Sequence, residues 1–130
     1  DAERALLAGG DAREKLAGLA SVIAAEQLAP LQRAASATHC APALLDYIHA
    51  LVEETRRDPE WLHGLSPRAA LALASAARAW AFIAGREMVL PEDVQAVFPA
   101  VAAHRLRHAQ GTGHAGADDI ARLIQRVPLP

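Results

Sequence analysis

The stretch from Ser66 to Gly85 constrains this chain most, because after its first turn it holds only two polar residues, Ser75 and Arg78. Ser66 and Pro67 provide an N-cap and an N1 proline, the residues best suited to starting a helix, and Gly85 provides a stop. A helix over 66–84 that is apolar on nearly every side is expected to lie at the centre, with other helices packed around it. The rest of the chain can supply them. Its 32 Ala and 17 Leu outweigh 15 β-branched residues, and straight or methyl side chains lose less rotamer freedom in a helix than branched ones do. The 130 residues, 52% of them hydrophobic, suffice for one core and fall short of two ordinary domains. The expected fold is all-α, a single compact helical bundle of about five to seven helices around helix 66–84.

Pro and Gly divide the remainder into helix-sized pieces. A short helix is expected over 1–8, ending at Gly9-Gly10, and a second from an Asp11 cap to about Leu19, so that 1–25 reads as N-terminal connector helices with 21–25 as a link. Residues 26–108 read as the core of the domain. Leu28, Leu31, Ala34 and Ala35 form a stripe on a helix that Pro30 either starts near Ala29 or deprives of a backbone bond. From Pro42 to Arg56, Leu44, Leu45, Ile48, Leu51, Val52 and Thr55 share one face, while Asp46, His49, Glu53 and Arg56 share the other. Pro59 ends that region, and Trp61-Leu62 are expected to turn into the core. Pro91, Glu92 and Asp93 open a further helix with acids at its positive end; Val94, Val97 and Phe98 face inward, and Pro99 breaks or restarts it before 101–106. A glycine-rich loop over 109–117 leads to a terminal helix over 118–127, capped near Asp118, with Ile120, Leu123, Ile124 and Val127 inward.

Charge and cysteine content narrow the function classes. Thirteen basic and 15 acidic residues leave a net charge of -2, which argues against nucleic acid as a partner, since that affinity comes mainly from neutralising phosphates. Aromatics, at 4%, are too few for a base-stacking platform. The lone Cys40 cannot form an internal disulfide, no signal peptide is legible, and no membrane span is expected, because the most apolar stretch is short and interrupted by Arg78. The cytoplasm is the expected compartment. The chain opens at Asp1 in what reads as the middle of a helix, and is expected to be a piece of a larger protein.

Four motifs are weak. Gly111-Thr112-Gly113-His114-Ala115-Gly116 fits the spacing of a dinucleotide loop, but no strand precedes it and no acid follows at the distance that would hold a ribose. The only lysine, Lys15, follows Glu14, so the chain has no phosphate-cradling Gly-Lys loop. His104 and His108 have the spacing of two ligands on one helix face, yet no acid or cysteine nearby completes a set, so no metal is expected. His39 beside Cys40 marks a helix end rather than a catalytic pair.

Gly64-Leu65-Ser66-Pro67-Arg68 is different. With Ser66 at N-cap and Pro67 at N1, Arg68 stands at N2, where the partial positive charge of the helix start disfavours a cation. One resolution is an anion bound jointly by free N–H groups and the guanidinium fork. The other is an arginine that is merely solvated or paired at the surface.

Here the chain resembles the C-terminal helical lid domain of MoxR-type AAA+ ATPases. The resemblance runs over nearly the whole chain, through Asp1-Ala2-Glu3-Arg4-Ala5-Leu6-Leu7, Leu44-Leu45-Asp46-Tyr47-Ile48 with Leu51-Val52 and Thr55-Arg56, Leu65-Ser66-Pro67-Arg68-Ala69 and Gly85-Arg86-Glu87-Met88-Val89. Pro91-Glu92-Asp93-Val94, His104-Arg105-Leu106 and Val127-Pro128-Leu129-Pro130 complete it. Leu90, where the family has a capping Thr or Ser, Pro30 and the glycines of 109–117 depart from the pattern. The resemblance implies that Arg68 is the sensor 2 arginine, reaching catalytically to the phosphates of ATP and Mg2+ held by an upstream α/β domain. Ser66 would stand with it at the nucleotide, and Tyr47, with Leu51, would approach the adenine. Walker motifs and arginine finger would lie upstream, so the 130 residues alone would be inert as an ATPase. It further implies a homo-oligomeric ring, expected to be a hexamer, a von Willebrand factor A-domain partner, and remodelling or maturation of client proteins. The alternative is a free-standing helical protein-interaction module with no nucleotide role, in which Arg68 is a surface residue.

Overall fold

The computed structural model describes residues 4, 16–111 and 113–130. The helix expected over 1–8, apart from Arg4, and the Asp11 cap lie outside the described residues, as does Thr112. The chain divides into two units, 1–30 and 31–130. Helix α1, Ala25–Ala37, carries Pro30 inside it and buries none of its side chains. Of the two outcomes expected at Pro30, the helix takes the second: it starts at Ala25 and runs past a residue that has no N–H to donate.

The larger unit holds α2 (Pro42–Arg57), α3 (Pro67–Ile83), α4 (Pro91–Ala102) and α5 (Ala117–Arg126). Among the described residues there is no strand, only three isolated bridges, and the fold is all-α as expected. The α3–α4 pair is the most extensive contact; α2 touches α3, α4 and α5, and α5 closes on α2 and α4.

Small side chains set the α3–α4 approach. Ala69, Leu73, Ala77 and Ala81, spaced by four along α3, are all at most 2% exposed, opposite Val94, Val97 and Phe98 of α4. Methyl groups on that stripe let two helix axes come close, since interaxial distance follows side-chain size. The remaining faces of α3 are not enclosed: Leu71 is 73% and Ile83 80% exposed, and α3 makes no contact with α5. Much of the helix's apolar character is alanine, which signals helix propensity as much as burial, so the helix is covered on α2 and α4 and open elsewhere.

Local chemistry explains the ends. Gly85 adopts φ 73, and the N–H groups of Gly85 and Arg86 return to the carbonyls of Phe82 and Ala81, closing α3 as a Schellman motif. At α4 and α5 the N-cap residues, Leu90 and Gly116, have no capping oxygen. Asp93 and Asp119, three residues on, instead accept the N-cap N–H at 2.8 and 2.7 Å.

Several sequence expectations differ in detail. Pro99 does not break α4, which continues to Ala102, and 103–105 form a turn rather than a helix. Leu45 is 42% exposed while Tyr47, not assigned to the core face, is buried. Trp61 enters the core and Leu62 stays half exposed, held by its N–H on the carbonyl of Arg107.

Candidate functional site

The start of α3 is built from the last turn of α2. Thr55 lies on the buried face of α2 with no exposed surface; its hydroxyl donates to the carbonyl of Val52 at 2.6 Å and accepts the N–H of Leu65 at 2.9 Å. The next residue, Arg56, donates from Nε to the carbonyl of Leu65 at 2.9 Å and from its guanidinium to Glu53 at 2.6 Å. Gly64 lies flat on Arg56: a Cβ there would meet its Cα at 2.6 Å and its N at 2.7 Å, which only glycine avoids. Leu65 itself is 2% exposed.

From this anchored peptide the helix begins. The Ser66 hydroxyl accepts the Ala69 N–H at 3.2 Å, and the Ser66 carbonyl takes the N–H groups of Ala69 and Ala70. Pro67 has no N–H. The first turn therefore retains one backbone donor outside the helix's own bonding, the N–H of Arg68. The Arg68 side chain is exposed, and no described residue pairs with it by hydrogen bond or ion pair. One guanidinium and one amide at the positive end of a helix have the charge and the donors that an anion would need. Beside it runs an open groove of about 490 Å³ between α2 and α3, lined by Leu45, Ile48, Val52, Pro67 and Leu71 with Arg56 at its polar edge.

Tyr47 is placed elsewhere. Its ring is 2% exposed, its hydroxyl meets Gln95 Nε2 at 3.0 Å, and it lines a separate cavity beside Val127 to Pro130. Ser66 and Arg68 are brought together; Tyr47 and Leu51, both in the core, are not brought to them. Thr55, Arg56 and Gly64 are named in the sequence reading, but without the role they take here in holding the Leu65 peptide. A buried Thr on an otherwise aliphatic face was the available signal.

The weaker motifs resolve simply. The loop 111–116 is preceded by no strand, and the Gly116 N–H that a phosphate would need is taken by Asp119. His104 and His108 do not share a helix face: His104 lies in a turn beside Arg105, and His108 stacks on Trp61 with a centroid distance of 4.9 Å. His108 also stands 3.3 Å from Asp119 and 3.8 Å from Glu60. Among the described residues no three potential ligands gather to hold a metal ion.

Residues 53–125 match the family model of the AAA lid domain, a span that contains α3, Arg68 and the anchoring turn of α2. The chain belongs to that family. Its relatives give the type: it is 36% identical over 124 residues to the chaperone MoxR1 of Mycobacterium tuberculosis, covering 84% of this chain and 32% of that protein. It is 51% identical over 75 residues to protein MoxR of Methylorubrum extorquens, covering 52% of this chain and 21% of the relative. In structure it resembles a candidate ATPase from Cytophaga hutchinsonii, with a TM-score of 0.67 at 28% identity over 75% of this chain and 33% of that one. The chain is thus a lid of the MoxR-type AAA+ ATPases, and spans about a third or less of the length of the curated relatives it matches.

Proposed function

We propose that this lid closes over ATP and Mg2+ held by an α/β domain of the same protein, with Arg68 as the sensor 2 residue at the γ-phosphate. The observation that carries the reading is a cation at N2 of α3 that is exposed, unpaired among the described residues and mounted on an anchored peptide. The bound nucleotide supplies a phosphoryl group whose transfer to water releases the energy for movement. Arg68 Nη groups and N–H bind and orient that phosphate, and the guanidinium offsets charge as it builds up. Ser66, whose hydroxyl accepts the Ala69 N–H and keeps its own O–H to donate, stands with Arg68 at the phosphates, while Tyr47, its side chain in the core, shapes the lid. Groups that hold Mg2+ and activate water belong to the neighbouring domain, so the lid alone hydrolyses nothing. Assembly into a hexameric ring, action on a von Willebrand factor A-domain protein and a cytoplasmic setting belong to the same proposal; no described helix is long and apolar enough to cross a membrane.

The test is Arg68→Ala in the full-length ATPase. A charge-assisted contact is worth about 1.5–3 kcal/mol, so turnover should fall roughly 10- to 150-fold. Unchanged turnover and nucleotide affinity would remove Arg68 from the mechanism.

A further inference from the structure

We infer that Thr55 is a positioning residue for Arg68, acting with Arg56 and Gly64 through the Leu65 peptide. Both polar groups of that peptide are held by consecutive residues of one helix turn, the N–H by Thr55 Oγ1 at 2.9 Å and the carbonyl by Arg56 Nε at 2.9 Å. The contact of Gly64 with the Arg56 backbone fixes the same segment in the remaining direction. Three residues further on stands Arg68, whose long side chain magnifies any shift of the helix start.

A purely structural role predicts a different residue at 55. The position is wholly buried on a helix face whose other buried residues are Leu44, Tyr47, Ile48, Leu51 and Val52, where valine has the same shape and no hydroxyl to satisfy. The hydroxyl serves the Leu65 N–H, a group outside α2 that is otherwise buried without a partner. What it adds is a fixed location for the peptide from which α3 starts. The chemical role of Arg68 tolerates little error, since a misplacement near 1 Å can cost on the order of a hundredfold in rate.

The inference rests on the reading of Arg68 as the phosphate contact, and the experiment separates the two. ATP turnover and KM are measured for full-length wild type, Thr55→Val, Arg68→Ala and the double variant, with the melting temperature of each. Thr55→Val should lower kcat roughly tenfold with KM changed less than about twofold, and Thr55→Ser should restore it. In the Arg68→Ala background, Thr55→Val should lower turnover no further. If Thr55→Val costs the same factor with and without Arg68, or costs nothing, the positioning role is overturned while the reading of Arg68 stands. If Arg68→Ala itself leaves turnover intact, that reading falls and the positioning role with it. Should Thr55→Val fail to fold, Arg56→Leu, which removes the half-exposed grip on the Leu65 carbonyl together with the Glu53 ion pair, takes its place in the same cycle, with Glu53→Gln as the control for the lost pair; Arg56→Leu must show the same loss and the same dependence on Arg68, and Glu53→Gln must not.

Discussion

Arg68 is a residue whose local cost and remote use point in opposite directions. In this chain by itself it places a positive charge at the positive end of α3 with no described partner, so Arg68→Ala should leave the unfolding free energy unchanged or raise it by about 0.3–1 kcal/mol. Urea denaturation of the 130-residue chain measures this; a loss of more than about 1 kcal/mol would reveal a structural role. Cys40 is governed by its surroundings in another way. Burial pushes its thiol up, and the positive charge of Arg78 offsets that in part. A thiol that ionises later in the folded state than in the unfolded one leaves stability intact below about pH 8.5 and erodes it as pH rises further. Cys40→Ala should accordingly flatten the alkaline fall of the unfolding free energy between pH 8 and 10, and a slope identical to wild type would contradict the assignment. Of the site, Ser66 and Arg68 were legible in sequence because capping chemistry is local. The contacts of Thr55 and Gly64 were not, because their partners lie ten and eight residues away across a turn.

At the scale of elements, α3 and α4 form the close pair on which the lid depends. Leu73, with no exposed surface, is the one large side chain in a stripe otherwise made of alanine. Leu73→Ala should cost about 2.7–5 kcal/mol through the cavity it leaves. Ala77→Leu should also destabilise, by about 1–3 kcal/mol, because the helices would have to separate. Chemical denaturation followed by helical circular dichroism distinguishes the two from a neutral surface change such as Ser75→Ala. Helix existence was legible throughout this region from periodicity and caps. Pro99 misled one boundary: it sits inside α4, which continues to Ala102 because the burial of Val97, Phe98 and Ala102 outweighs one lost backbone bond, whereas Pro30 takes one of the two outcomes expected for it.

At the scale of the molecule, a network of charged side chains joins α5 to the end of α2 and the residues just after it. Arg126 of α5 reaches Asp58 and Glu54 at the end of α2, and Arg122 joins Asp119 and Glu60. The Asp58 carboxylate, by hydrogen bond and charge, raises the Arg126 guanidinium above its ordinary value. These arginines are substantially exposed, so water and salt screen them, and 1 M NaCl should lower the unfolding free energy by far less than Leu73→Ala does. A larger fall would mean that these pairs, and not the apolar core, close the larger unit. Sequence by itself determined the all-α class, the N-cap of α3 and the misplaced cation at N2, because each depends on residues within a turn or two of one another. Only the tertiary structure decided that α3 is open on its outer side, that Tyr47 belongs to the core, and that Thr55 and Arg56 grip the peptide from which Arg68 is presented. Those facts depend on which helix faces which, a property of packing between segments that no local pattern encodes.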